Sequence, residues 1–206
     1  MTSYLGIDVV DINFNRTGAI RESVNRKYDL LDSETGKRFS DEHAPAPAPI
    51  RPFTWTAFGR QEIAALRSFI DARHGKAIPF WLPSYQWDLT LAEDLASGSA
   101  IATVQWVRYA QQMFGLTGAR RHVALWQLGI GTYQFHQVTA ATDPGNGLTE
   151  TLQLSPAAGG DQAAATTVIS FLKYCRLDND LTRVRYLGGM AEAVISVHEL
   201  PLEAPM

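Results

Sequence analysis

A single stretch of this chain carries a helical period, and that scarcity constrains the fold more than any other feature. Ile63, Leu66, Phe69 and Ile70 recur at three- and four-residue steps, with Arg60, Gln61, Arg67, Asp71 and Arg73 assigned to the opposite side. The spacing predicts one amphipathic α-helix, about residues 60–74, opened by Gly59 and stopped by a left-handed Gly75. One apolar stripe must dock on something, and the neighbours on offer are strands. Residues 51–58, 77–82, 101–107, 122–128, 132–139, 148–154, 167–177 and 190–198 are rich in Val, Ile, Leu, Thr and aromatics. Asp143-Pro144-Gly145-Asn146-Gly147 and Pro156-Ala157-Ala158-Gly159-Gly160-Asp161 separate some of them as turns. The expectation is a mainly β fold, a β-sandwich or barrel with one helix; without further helices, a doubly wound α/β fold is disfavoured.

The first fifty residues read differently. Strand candidates at Val9–Phe14 and Ser23–Leu31 precede a turn at Asp32-Ser33-Glu34-Thr35-Gly36, so residues 1–42 read as an N-terminal hairpin arm. His43-Ala44-Pro45-Ala46-Pro47-Ala48-Pro49 alternates proline with alanine, which stiffens an extended connector and opposes both helix and central strand. Residues 43–50 are therefore expected to form a strap within a single domain spanning 1–206.

Composition narrows the function. Eighteen Lys and Arg against 21 Asp and Glu leave a net charge of −3, which opposes a nucleic-acid-binding surface, since phosphate neutralisation needs clustered positive charge. Charged residues make up 19% of the chain, below the roughly 25% of ordinary domains, so part of the surface is expected to be covered by a partner or by copies of the chain. One cysteine, Cys175, excludes an internal disulfide and a cysteine-built zinc site, and its strand-like setting predicts a buried thiol. Met1-Thr2-Ser3-Tyr4 with acidic residues soon after does not read as a signal peptide. No stretch is apolar enough to span a bilayer, and Gln127, Gly129, Gly131, Gln134, His136 and Gln137 interrupt the longest uncharged run. The expected product is soluble, made in a cytoplasm, and without a membrane anchor.

Catalytic motifs are missing. Gly129-Ile130-Gly131 lacks the rest of a phosphate loop, and Ser97-Gly98-Ser99 is not a nucleophile elbow. His122 and His136 would hold a metal, with Asp143 as a third ligand, only if they faced one another across paired strands; a half-buried hydrogen-bonded ring is the commoner fate of a strand histidine. Asp178-Asn179-Asp180 starts like a calcium loop, but Arg183 and Gly189 stand where that loop needs glycine and glutamate, which leaves a polar turn. Asp88, Glu93 and Asp94 have no spacing that sets two catalytic carboxylates. No enzyme activity, cofactor or metal is expected.

The aromatics leave two readings open. Phe80, Trp81, Tyr85 and Trp87 lie close together, followed by Trp106, Tyr109 and Phe114. They fill a core or an interface, or they form a carbohydrate-binding surface, and the exposure of Trp81, Trp87 and Trp106 discriminates. In the uncharged run, Val123, Leu125 and Gln127 alternate with Ala124, Trp126 and Leu128, so both faces look partly apolar. Such a strand is central in its own fold or covered by a neighbour, and coverage of part of it by a neighbouring subunit is expected.

Phe53-Thr54-Trp55 through Leu91, with Leu66-Arg67-Ser68-Phe69-Ile70-Asp71-Ala72-Arg73-His74-Gly75, then Ile78-Pro79-Phe80-Trp81-Leu82-Pro83 and Trp87-Asp88-Leu89, resembles the distal tail protein family of long-tailed bacteriophages and gene transfer agents. A second echo is Cys175-Arg176-Leu177-Asp178-Asn179-Asp180-Leu181-Thr182, followed by Val194-Ile195-Ser196-Val197-His198-Glu199-Leu200. The first fifty residues and 92–166 carry no such likeness. The resemblance implies a structural virion protein of the tail tip or baseplate. It would form a ring, usually sixfold, that joins the tail tube protein to hub and fibre proteins and lets DNA pass through its lumen. The residues singled out as structural or interface candidates are Phe69, Phe80, Trp81, Trp87, Trp106, Trp126, Asp178 and Asp180. A carbohydrate- or receptor-binding tail module is the alternative, and a tail hydrolase has no motif behind it.

Overall fold

The computed structural model describes residues 2–10, 23–25, 28–32, 38–42, 48–115, 120–129 and 133–205. In chain order the elements are β1 (Thr2–Tyr4), β2 (Ile7–Val9), β3 (Ser23–Asn25), β4 (Tyr28–Asp32), β5 (Arg38–Glu42), β6 (Ala48–Phe58) and α1 (Gly59–Arg73). There follow β7 (Phe80–Pro83), β8 (Leu89–Thr90), β9 (Ile101–Gln105), a π-helical turn (Ala110–Phe114), β10 (His122–Gln127), β11 (Tyr133–Thr142) and β12 (Thr149–Ser155). The last three are β13 (Thr167–Leu177), β14 (Val184–Leu187) and β15 (Met190–Glu199). The protein is mainly β, with one α-helix among the described residues, as the periodicities require. These elements gather into two compact units: Met1–Asp11, Phe80–Tyr174 and Pro201–Met206 form the first, Ile12–Pro79 and Cys175–Leu200 the second.

In the first unit the antiparallel order is β13-β10-β11-β12-β9. β8 pairs the free side of β13 through Val168↔Thr90 and Ile169↔Leu89, and Leu91, just beyond β8, bridges Val104 of β9. The strands thus close on themselves into a small barrel, which removes the edges that an open sheet leaves. Its interior is filled by side chains taken from every strand, among them Leu89, Leu91, Val104, Val123, Val138, Leu152 and Ile169. The outer side of β10 and β13 is also covered. Ala124 and Leu172 join Tyr4, Val9 and Trp81 in a second buried cluster, built where β1 and β2 pair antiparallel and Val9 pairs Trp81 in parallel. β10 lies between β11 and β13, and His122–Leu125 are buried by their own unit, while Trp126 and Gln127 at its end are half-buried.

The second unit is organised by one long ribbon. Ile50–Phe58 of β6 pairs antiparallel with His198–Met190 of β15 over nine register positions, β14 flanks β15, and Cys175–Leu177 pairs Glu199–Val197. Cys175 is buried and forms no disulfide. One face of the ribbon carries Phe53, Trp55, Ala57, Ala191, Ala193 and Ile195, all buried, and α1 lies on it, with the Phe69 ring 5.6 Å from Trp55. Three alanines on that face let a helix approach closely. Leu66 and Phe69 are fully buried, Ile63 and Ile70 half-buried.

Arg73 departs from its expected place on the polar side, being 2% exposed. It stands four residues after Phe69, so it shares the apolar stripe. Its guanidinium carbon sits 5.4 Å from the Phe69 ring centroid, and Nη1 donates to the Pro79 carbonyl at 3.1 Å. The helix stop also begins one residue early, because His74 is already left-handed at φ 46° before Gly75 at 64°.

β4 and β5 form an antiparallel arm from Tyr28↔Glu42 to Asp32↔Arg38, with the intervening turn outside the described residues. Residues 43–47 of the strap also lie outside them, but Ala48-Pro49-Ile50 is strand, not strap. Prolines are tolerated in β6 because, among the described residues, each sits where one flanking strand alone pairs: Pro49 opposite Val24, Pro52 opposite Ser196.

Candidate interaction surface

Two distant pieces of sequence meet at the C-terminal end of α1. β13 leaves the edge of β15 after Leu177 and β14 rejoins it at Val184, so Asp178–Arg183 arches out of the sheet between them. Asp180 on that arch accepts the backbone N–H of Lys76 at 3.0 Å through Oδ1. The approach is close enough that a Cβ on Gly75 would lie 2.5 Å from the same oxygen. Gly75 is therefore required twice, by its left-handed backbone and by the space that Asp180 takes. Asp178 begins the arch, its N–H donating to the Ser196 carbonyl at 2.9 Å. The polar turn expected from Asp178-Asn179-Asp180 is present, and it also ties down the helix end.

Where the arch departs, a cleft of about 820 Å³ opens, lined by Lys76, Asn179, Asp180, Leu181, Arg183, Arg185, Glu192 and Val194. Arg185 and Glu192 are register partners on β14 and β15. Lys76, Arg183 and Arg185 outnumber the two carboxylates, and one of those, Asp180, already holds a backbone amide. Leu181 is 70% exposed and Val194 59%, which gives the cleft apolar lips. Such a cleft can take a segment that combines carboxylates with apolar side chains. Nothing in the sequence marked Arg183, Arg185 and Glu192 as a group, because the departure and return of the sheet edge is what assembles them.

The aromatic candidates separate by burial. Phe69, Phe80 and Trp81 are core residues with no surface to offer a partner. Trp87 is 53% exposed. Trp106 is half-buried; its indole N–H donates to Asp143 Oδ2 at 3.1 Å, and the Arg108 guanidinium lies over its ring. Trp126 is half-buried beside Tyr133. A ring platform of Trp81, Trp87 and Trp106 is thus not assembled.

His122 and His136 do not face one another. His136 pairs Val123 and His122 pairs Gln137, so the alternation of a strand sends the two rings to opposite faces. His122 Nε2–H donates to the Pro205 carbonyl at 2.8 Å, which leaves Nδ1 to accept the Tyr4 hydroxyl at 3.0 Å. His136 uses Nδ1 on the Pro156 carbonyl at 2.8 Å. Burial holds both imidazoles below the usual histidine range. Asp143, the supposed third ligand, accepts from Gly145 N, Trp106 Nε1 and Gln111 Nε2. The Gly145 N–H, followed by the indole, holds its carboxyl below the usual range.

Two acidic side chains do structural work. Asp88 Oδ2 accepts the Ser84 hydroxyl and the Phe171 N–H. Glu150, which sequence reasoning passed over, is fully buried. Its carboxylate accepts three backbone amides, Val107 at 3.1 Å, Tyr109 at 3.0 Å and Ala110 at 2.9 Å, and so shapes the loop that enters the π-helical turn. No run of residues announces such a role, since the loop arrives from more than forty positions upstream.

No protein-family model matches this chain, and no curated protein matches it in sequence. Among the described residues, no helix is long and apolar enough to cross a membrane.

Proposed function

We propose that this protein is a structural tail-tip component of the distal tail type. In this reading it forms a ring, sixfold as the resemblance implies, that joins the tail tube to the hub and fibres and lets DNA pass through its lumen. The observation that supports the reading most is the meeting of the two stretches that carry the resemblance. Gly75-Lys76 and Asp178-Asn179-Asp180 lie 104 positions apart and touch through the Lys76 N–H and Asp180 Oδ1. Residues 53–79 of the first stretch and Cys175–Leu200 of the second thus belong to one packing unit with the β6–α1–β15 layer, whereas residues 80–91 belong to the other unit. The modest net charge of −3 suits a ring that DNA traverses without being held. The role is one of assembly, with no catalytic step.

The alternative of a glycan-binding surface is less well supported, because Trp81 is sealed in the core and Trp87 is the one of its three tryptophans that is mostly exposed. Imaging of assembled tails that contain this chain tests the proposal. Density for a closed ring of this chain at the end of the tube is the expected result; a lone copy, or a position away from that end, overturns it.

A further inference from the structure

We propose that the β4–β5 arm of one copy docks in the cationic cleft of a second copy, an exchange that links neighbours around the ring; this rests on the ring reading above. The arm is a two-stranded ribbon that pairs with no other strand among the described residues, and a lone hairpin of that size is marginal in water. By sequence the arm is acidic. Residues 28–42 hold Asp29, Asp32, Glu34, Asp41 and Glu42 against Lys37 and Arg38. Asp32 stands opposite Arg38, but Asp29 stands opposite Asp41, and like charges directly opposite destabilise a ladder.

The cleft has the complementary excess. In a protein of net charge −3, it gathers Lys76, Arg183 and Arg185 around Glu192 and the already engaged Asp180. The apolar residues agree as well: Tyr28, Leu30, Leu31 and Phe39 stand among the arm's carboxylates in sequence, and Leu181 and Val194 are exposed at the cleft. Opposite net charges then select this pairing over arm-to-arm or cleft-to-cleft contact. Because every copy carries one arm and one cleft, the contact is head-to-tail, the kind that closes into a ring when its rotation closes.

The test is zero-length carbodiimide cross-linking of the full chain, with ¹⁵N-labelled and unlabelled copies mixed, followed by mass spectrometry. The expected result is an amide between Lys76 of one isotope and Asp29, Asp32, Asp41 or Glu42 of the other. No such link, or links within one isotope alone, which would mean that the arm docks on its own chain, overturns the inference. Reversing the cleft (Arg183→Glu with Arg185→Glu) or the arm (Asp29→Lys with Asp41→Lys) should each lower the mixed-isotope link by about tenfold. Mixing the two variants should restore it, from Lys76 of the arm-reversed chain to carboxylates of the cleft-reversed chain; failure to restore it counts against the contact. A ring seen at the tail end without this link sinks the inference and leaves the function standing, whereas the link without a ring does the reverse.

Discussion

Replacing Glu150 by alanine tests how the first unit holds its longest excursion from the barrel. The carboxylate accepts the amides of Val107, Tyr109 and Ala110, and truncation leaves all three without that acceptor. A buried amide without a partner costs about 1–3 kcal/mol. Val107 is 43% exposed and Ala110 half-buried, so water can reach both and reduce their share. Tyr109 is fully buried and bears the full cost. The sum is about 3–5 kcal/mol for Glu150→Ala. Glu150→Gln should cost less, about 1–3 kcal/mol, because its amide oxygen keeps the Val107 and Tyr109 bonds while its NH₂ faces the Ala110 donor. Urea unfolding followed by tryptophan fluorescence reads both values, since Trp81 and Trp126 report on the same unit. A Glu150→Ala loss below about 1 kcal/mol, or a glutamine variant as weak as the alanine one, would refute the reasoning.

Phe69→Ala should cost about 3–5 kcal/mol, because the ring is fully buried against Trp55; an unchanged denaturation midpoint would contradict the helix-on-ribbon packing. Gly75→Ala should destabilise by about 1–2 kcal/mol or more, through its positive φ and the 2.5 Å approach to Asp180. In a double-mutant cycle with Asp180→Ala the combined loss should be smaller than the sum, and strict additivity would show that the two do not meet. Stability should fall on acidification below about pH 6.5, the unfolded histidine value, because burial lowers the folded pKa of both His122 and His136 and the unfolded chain takes up protons first. The stability it removes is fully present above that pH and is lost as pH falls towards the folded values. Replacing both histidines by glutamine should flatten the dependence between pH 7 and 5, and an unchanged slope in chemical unfolding across that range would count against it.

The class of fold was readable because it depends on local period. Leu66 and Phe69 recur at helical spacing, and segments such as 167–177 and 190–198 reappear almost unchanged as β13 and β15. Side-chain burial follows less directly. Arg73 looked like a solvent-facing charge, yet it lies on the apolar stripe, with its guanidinium near the Phe69 ring and Nη1 donating to the Pro79 carbonyl. The two-sided apolar character of β10 was visible in Val123 to Trp126. Whether a neighbour or its own chain covered it depended on β13 and on the Trp81 cluster, which come from distant sequence.

By itself, then, the sequence determined the element types, the position of the single helix and the glycine at its end, all properties of a few consecutive residues. Tertiary structure decided the rest. Register sent His122 and His136 to opposite faces and so dissolved the metal reading. Closure of the barrel buried Glu150 beneath three amides. The gap between β13 and β14 gathered Lys76, Arg183, Arg185 and Glu192 into one cleft. Each of these depends on pairing between strands far apart in the chain, and a period of two says which residues share a face without saying which strand lies opposite.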